Sequence, residues 1–296
     1  MATTNNTLSV RQYQAQFKAL LGAVFAKQAY FRDFFGGNIE ALDGVSNNAV
    51  AFSVKTSSIP VAVNTYSKDA NVAFGTGTAK STRFGNRTEI IYTDTEVKYT
   101  WEWAFHEGID RFTVNNDFMA AVADRLDLQA QEKVALFNQH QGKFISDNAG
   151  KTLALATKDA AGVLALFNDA HKYFVNQKVK QNLIWCAKVT PDIWNLIVDQ
   201  PATTTSKRSS VNIDENGVAM FKGFRVEEIP EDLFLKNEVA YFYPAAVGKA
   251  FTGINTARTI ESDDFDGVAL QGAGKAGEFI LDDNKVAVVK ATGTGA

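Results

Sequence analysis

The clearest pattern in this chain is a strict alternation of apolar and polar residues over 96–105. The apolar positions are Val97, Tyr99, Trp101, Trp103 and Phe105, and the positions between them are mostly polar. A period of two is typical of a strand that buries one face. The segment around Val50, Phe52 and Val54 has the same rhythm. The two segments together predict one long hairpin over 49–105.

A polar tip separates the two predicted strands. Residues 64–88 are rich in Thr, Asn, Gly and Ser and poor in large apolar residues. A loop of more than about 15 residues without structure of its own is unusual inside a compact domain. We therefore expect an arm that a second copy of the chain orders, which indicates assembly rather than catalysis. Lys68 and Lys80 on this tip serve either solubility or contact with a neighbouring subunit.

Helical spacing dominates the segments on both sides of the hairpin. Apolar residues recur at this spacing between residues 10 and 31, which predicts an amphipathic N-terminal arm. A longer stripe predicts a helix over 116–147, about 45 Å long at 1.5 Å per residue. Asn115 or Asn116 is its expected N-cap, with Asp117 in the first turn. The stripe comprises Met119, Val122, Leu126, Ala130, Val134, Phe137 and Phe144.

A mixed region of helices and strands begins near Lys151. The expected order is a helix over 159–175, a central strand over 182–189, a helix from Pro191 to about 199, a polar loop over 200–212, a turn at Asn216–Gly217, and strands near 218–229, 238–243, 247–260 and 285–291. Strands and helices in this arrangement predict an α+β fold.

Composition narrows the classes of function. The formal net charge is −3, so no global basic field favours tight, specific binding to DNA. The single cysteine, Cys186, excludes an intrachain disulfide and is expected to be a buried thiol. The N-terminus lacks a secretory pattern and no run approaches 20 apolar residues, so we expect neither export nor a membrane helix.

Three glycines match the spacing of a dinucleotide-binding loop, but their surroundings do not. Gly272, Gly274 and Gly277 fit G-x-G-x-x-G, yet the chain that follows is too short for the crossover helix and acidic residue of that motif. We therefore interpret them as a flexible surface loop. A P-loop is excluded as well, since no Ser or Thr follows Lys275.

No other cluster predicts a catalytic, cofactor or metal site. Asp263, Asp264 and Asp266 are bunched rather than spaced as calcium ligands and are expected to form a solvated turn. His106, His140 and His171 are isolated from other metal ligands in sequence. A nucleophilic pair of His171 and Cys186 would need orienting residues that no motif supplies. We expect no catalytic residue and no cofactor.

The order of parts, an amphipathic arm, a hairpin with a polar tip, a long helix and then a mixed α/β region, resembles the major capsid proteins of tailed bacteriophages with the HK97-like fold. Residues 189–194 (VTPDIW) and 223–230 (GFRVEEIP) are similar to segments of such proteins from phages of Gram-positive hosts. The resemblance covers essentially the whole chain and rests on this order of parts, with no invariant motif.

The resemblance implies a division of the chain into domains. Residues 1–48 would be the N-terminal arm and 49–100 the E-loop. The peripheral domain, with its spine helix, would comprise 101–150 and 247–265. The axial domain would comprise 151–246 and 266–296, with 200–215 near the centre of a capsomer.

The implied function is structural. Copies of the chain would assemble into pentamers and hexamers of an icosahedral head around double-stranded DNA, built in the host cytoplasm. The other implied partners are a separate scaffolding protein and a portal, with non-specific DNA contact and no membrane. One alternative is an encapsulin-like compartment that holds enzyme cargo. A more remote one is a small-molecule enzyme that uses the α/β region.

Overall fold

The computed structural model describes residues 28–37, 39–41, 50–57, 59, 61–70, 83–85, 87–114, 117–180, 183–199 and 219–293. Most of the expected N-terminal helix, the Asn115 and Asn116 caps, Lys80, the polar loop over 200–212 and the Asn216–Gly217 turn lie outside these residues. The chain forms two compact units, one of residues 1–44 with 99–296 and one of residues 45–98.

Strands and helices alternate along the described chain. The strands are β1 (Glu40–Ala41), β2 (Val50–Thr56), β3 (Thr93–Lys98), β4 (Trp101–Asp110), β5 (Lys151–Leu155), β6 (Trp185–Val189), β7 (Ala219–Phe221), β8 (Phe224–Glu228), β9 (Glu238–Pro244), β10 (Lys249–Glu261), β11 (Gly267–Phe279) and β12 (Val289–Gly293). The helices are α1 (Phe118–Asp147), α2 (Ala160–Asn176), α3 (Pro191–Val198) and the single turn α4 (Asp282–Lys285). This mixture confirms the α+β class.

A mixed six-stranded sheet forms the centre of the larger unit, in the order β5-β12-β9-β6-β8-β7. One face packs on α2 and α3, where Phe167, Phe224 and Phe242 are completely buried. The other face packs on the aromatic segment that contains Phe31 and Phe34 and on the C-terminal end of α1. Because both faces are covered, the central strand β6 is apolar almost throughout, as its sequence predicted.

A second sheet in the larger unit has the order β1-β10-β11-β4. Helix α1 lies along β4 in the opposite direction: Phe137 and His140 contact Trp101, and Gln129 donates a 2.6 Å hydrogen bond to Glu107. The N-terminal half of α1 packs on β11, and its C-terminal end reaches the core of the six-stranded sheet. The long helix therefore joins the two sheets.

Several sequence predictions are confirmed. The long helix has 30 residues, and α2 buries the expected Val163, Phe167, Ala170 and Phe174. The N-cap prediction for α1 was wrong, because Asp117 itself accepts the hydrogen bond of the Ala120 amide. Met119 was also misassigned to the buried stripe, since 72% of it is exposed. The last expected strand lies at β12 rather than over 285–291.

The predicted return strand of the hairpin is two strands. β3 pairs with β2, whereas β4 pairs with β11 in the other unit, with the break at residues 99–100. The alternation continues across this break, because Trp101, Trp103 and Phe105 turn toward α1 while Glu102, Ala104 and His106 are exposed. The apolar and polar residues alternate through both strands, so the sequence does not indicate that the chain passes from one sheet to another.

The glycine-rich segment is a strand, so the interpretation as a flexible loop was wrong. Gly272 and Gly274 lie in β11 opposite Phe105 and Trp103. A Cβ atom at Gly274 would stand 2.4 Å from the Trp103 ring, so only glycine leaves that ring enough room. β11 pairs with β10 and β4, so residues 267–279 do not group with 151–246 as the expected domain boundaries had it.

Candidate functional site

The smaller unit contains the hairpin that the alternation predicted. β2 and β3 pair antiparallel, with Ser53 opposite Glu96 and Thr56 opposite Thr93. Beyond Thr56 the described residues of the two arms form no regular strand until Thr93. This part of the chain therefore has little interior of its own.

The two arms meet again close to the tip. The Ser67 amide donates a 2.9 Å hydrogen bond to the Arg83 carbonyl, and the Arg83 guanidinium donates to the Ser67 carbonyl at 3.0 Å. The rings of Tyr66 and Phe84 pack edge to face with centroids 5.2 Å apart. The pairing of Ser67 with Arg83 is offset by one residue from the register in which Thr56 pairs with Thr93. The two arms of the hairpin thus contact each other at the base and again near the tip.

Large apolar side chains of the arms are exposed. Val61 is 87% exposed and Val63 is 90% exposed, far above the level of the core strands. The others exposed in this unit are Tyr66, Phe84, Ile90, Ile91 and Tyr92. Several apolar side chains exposed together usually indicate a binding surface. We call these seven residues the hairpin surface.

The sequence signal for this surface was present but misplaced. The sequence predicted contact with a second copy at the polar tip over 64–88, whereas most of the exposed apolar residues flank that tip at Val61, Val63 and residues 90–92. An alternating apolar pattern predicts a strand but does not say whether its apolar face is covered.

The β4 strand begins beside a buried carboxyl group. Glu278 of β11 accepts hydrogen bonds from the Trp101 indole at 3.0 Å and from the Thr100 hydroxyl at 3.3 Å. Burial raises the pKa of Glu278, and the two hydrogen bonds oppose that rise. The His140 ring stacks parallel on the Trp101 ring, with centroids 4.0 Å apart.

A second buried polar cluster surrounds Lys188 on the six-stranded sheet. Its amine lies 3.1 Å from Asp33 Oδ2 and 2.5 Å from Glu227 Oε2. A cleft of about 570 Å³ opens beside the cluster, and Tyr30, Trp194 and Arg225 are among its lining residues. No sequence motif joined these residues, which come from three distant parts of the chain.

The candidate residues of the sequence do not converge. The His171 ring donates a hydrogen bond from Nδ1 to the Lys222 carbonyl at 3.0 Å and packs on Trp185, while Cys186 points to the opposite face of β6. Burial raises the pKa of the Cys186 thiol to about 12, which makes it a poor nucleophile. His171 and Cys186 therefore form no pair.

The acidic turn is held by one arginine. Arg111 donates to Asp266 at 2.9 Å and to both oxygens of Glu261, so the turn after β10 is tied to the end of β4. Among the described residues, no group of three or more potential ligands could hold a metal ion. Within that same part of the chain, no helix is long and apolar enough to cross a membrane.

Comparison with known proteins gives a result by structure only. No family model matches the sequence, and no curated protein matches it. The mature capsid of bacteriophage PhiM1 matches with a TM-score of 0.66 at 13% identity, over 91% of this chain and 88% of that one. The capsid of the cyanophage P-SCSP1u matches with a TM-score of 0.67 at 9% identity, over 99% and 93%.

A weaker match comes from a virus-like particle of Pyrococcus furiosus, with a TM-score of 0.51 at 14% identity over 93% of this chain and 97% of that one. The matches cover nearly the full length on both sides. The chain therefore has the fold of phage capsid proteins.

Proposed function

We propose that this chain is the major capsid protein of a tailed bacteriophage. Copies of it assemble into pentamers and hexamers that close into an icosahedral head around double-stranded DNA. The observation that carries the proposal is the full-length likeness to phage capsids, with TM-scores of 0.66 and 0.67. The exposed hairpin surface supports it independently, because a subunit of a closed shell needs large contacts with its copies.

The parts of the molecule then take the following roles. The hairpin over 49–100 is the E-loop, which contacts a neighbouring subunit, and α1 is the spine helix. The peripheral domain comprises 101–150 and 247–279, extended beyond the expected 247–265 because β11 pairs with β4 and β10. The axial domain comprises 151–246 and 280–296, and residues 1–48 form the N-terminal arm.

Burial of the hairpin surface supplies part of the driving force. Full burial of an apolar side chain of this size contributes about 1.5–3 kcal/mol. Because the arms are already joined at Tyr66–Phe84 and Ser67–Arg83, little of this gain is lost in ordering the described part of the hairpin on association.

The proposed partners are further copies of the chain, a separate scaffolding protein, a portal and packaged DNA held by non-specific contacts. We place assembly in the bacterial cytoplasm and the finished protein in the virion. The small net charge of −3 agrees with a shell that contains DNA without binding a specific sequence.

An encapsulin-like compartment is the second candidate. The likeness to the Pyrococcus particle supports it, but at a TM-score of 0.51 against 0.66 and 0.67 for the phage capsids. An enzyme of the α/β region has less support, since His171 and Cys186 lie on opposite faces of β6.

Electron microscopy of the purified protein tests the proposal. We expect closed shells with five- and six-fold capsomers from the wild-type chain, with or without co-expressed scaffolding protein. Deletion of residues 64–88 should leave a folded subunit that forms no shells. A wild-type chain that stays monomeric under both conditions would contradict the proposal, and a deletion variant that assembles normally would contradict the role of the hairpin.

A further inference from the structure

A group of basic side chains lies at the end of the six-stranded sheet where the parallel strands β6 and β8 begin. We call it the basic surface, and its members are His171, Lys172, Lys178, Lys180 and Lys222. All of them are exposed except Lys222, which is half-buried. The chain as a whole has a formal charge of −3, so this local excess of positive charge does not follow from its composition.

Two aromatic rings hold the parts of the basic surface together. The His171 ring packs on the Trp185 indole, with centroids 5.5 Å apart. His171 Nδ1 donates a 3.0 Å hydrogen bond to the Lys222 carbonyl. The Trp185 indole donates to the Lys180 carbonyl at 3.2 Å. The two lysines therefore come from separate parts of the chain but flank the same pair of rings.

The end of α2 holds Lys178 in the left-handed region of the backbone, with a φ of 57°. The Lys178 amide donates to the Val175 carbonyl at 3.0 Å. The next amide, that of Val179, donates to the Phe174 carbonyl at 3.0 Å. These two bonds form a Schellman motif, in which the left-handed position is usually glycine. A lysine at this position adds backbone strain that glycine would avoid.

The turn between β7 and β8 holds Lys222 in the same way. Phe221 pairs with Phe224, so the turn consists of Lys222 and Gly223 alone. Their φ values are 51° and 87°, the type I′ geometry for which Asn-Gly is preferred. Residues that remain in a strained conformation often serve a function. What lysine adds at Lys178 and Lys222, compared with asparagine or glycine, is positive charge.

The charge of the basic surface is not neutralised within the described part of the subunit. None of its four lysines forms an ion pair with a residue that the structure describes. Asp169 lies one turn before Lys172 on α2 but does not pair with it. At the opposite end of the sheet, by contrast, Lys158 pairs with Asp192 at 2.5 Å.

A long polyanion is the partner that suits this surface best. Lysine presents a hydrated point charge on a flexible four-carbon stem, so it needs no fixed geometry in its partner. Double-stranded DNA carries one negative charge per about 1.7 Å of its axis, and lysines that neutralise phosphates release bound counterions. Many copies of one surface that face a single polymer act together, so weak binding by each subunit is sufficient.

We propose that the basic surface contacts the phosphate backbone of the packaged double-stranded DNA. This assignment rests on the proposed function, because it requires a shell that encloses DNA. It also gives the subunit an orientation. The end of the sheet where β6 and β8 begin, at Trp185 and Phe224, lies on the inner side of the shell.

Binding of the unassembled full-length chain to random-sequence double-stranded DNA tests the proposal, measured by fluorescence anisotropy over a range of salt concentrations. Lys178→Asn/Lys222→Asn removes two charges and introduces a residue that tolerates the left-handed region, so folding should be retained. Each lysine that neutralises a phosphate contributes about 0.9 to the slope of log K against log salt concentration. We therefore expect the slope of this variant to be smaller by about 1.8.

The matched control removes two charges at the opposite end of the same sheet. Lys158→Gln breaks only an exposed ion pair, and Lys236 precedes β9, whose Ala240 pairs with Val189 at the end of β6. Lys158→Gln/Lys236→Gln should keep the wild-type slope. The proposal would be overturned by equal slopes for the two variants, or by a wild-type chain that does not bind DNA at low salt.

Electron microscopy of the same proteins separates this assignment from the proposed function. Lys178→Asn/Lys222→Asn should form shells of normal size, because the basic surface contacts the contents of the shell and not the neighbouring copies. Loss of shells in this variant would assign the surface to a protein partner, which the exposed Leu183 and Ile184 beside it would also suit, and would overturn the proposal. A wild-type chain that binds DNA through this surface but forms no shells would contradict the proposed function alone.

Discussion

Large apolar side chains are buried in the six-stranded sheet and exposed in the hairpin. In the sheet, Phe224 and Phe242 are completely buried between helices and strands. In the hairpin, Val61 and Val63 are almost completely exposed. The difference indicates that the sheet is stabilised within one subunit, and it agrees with the proposal that the hairpin completes its contacts against another copy of the chain.

The largest expected effect comes from the sheet. Phe224→Ala removes a ring that packs against Phe167, Phe174 and Phe242. We expect the free energy of unfolding to fall by about 3–5 kcal/mol. Ile91→Ala in the hairpin, where the side chain is 59% exposed, should change it by less than about 0.5 kcal/mol. Chemical denaturation of the unassembled subunit measures both. Equal losses would remove the distinction between the two regions.

A smaller effect should be confined to the hairpin. Tyr66→Ser removes the edge-to-face contact with Phe84, and such contacts contribute about 0.5–1.5 kcal/mol. Hydrogen exchange of the Ser67 amide, which donates to Arg83, should become faster while the global unfolding energy stays the same. Unchanged exchange at Ser67 would mean that the ring pair does not organise the arms.

The smallest expected effect concerns the buried Glu278, a polar exception within the larger unit. Burial raises its pKa, so the folded state binds the proton more tightly than the unfolded state. Its contribution to stability is therefore largest below the ordinary glutamate pKa and decreases as the pH rises through the raised value.

Glu278→Gln should consequently increase the free energy of unfolding at pH 7 more than at pH 4, as measured by denaturation at both values. The matched control is Glu102→Gln, because Glu102 is an exposed glutamate on the neighbouring strand β4 and its side chain is 70% exposed. A benefit of Glu278→Gln that is the same at both pH values would contradict the titration of a buried carboxyl group.

Local patterns predicted the parts of the fold that depend on local spacing. The stripe from Met119 to Phe144 predicted α1, and the Thr190–Pro191 start predicted α3, because helical spacing and N-terminal signals depend on residues that are close together in sequence. β11 was missed because its glycines suggest a loop, and the reason for Gly274 is the ring of Trp103, which lies far away in sequence.

The surface and the buried cluster could be predicted only in part. Alternation over 50–54 and 96–105 predicted a hairpin, but the exposure of Val61 and Val63 depends on which elements cover them. The Lys188 cluster depends on Asp33 and Glu227 meeting one strand in three dimensions. The spacing of residues along the chain does not predict a contact between segments that are so far apart in sequence.

The most direct test of the central claim compares two double variants of the hairpin surface. Val61→Asp/Val63→Asp places charges at positions that are exposed in the subunit, so folding should be unaffected. Val61→Ile/Val63→Ile, its matched control, keeps the surface apolar. Sedimentation velocity and electron microscopy should find shells for the wild type and the isoleucine variant, and only unassembled, folded subunits for the aspartate variant. Shells of normal size and yield from the aspartate variant would contradict the claim that the hairpin surface drives assembly.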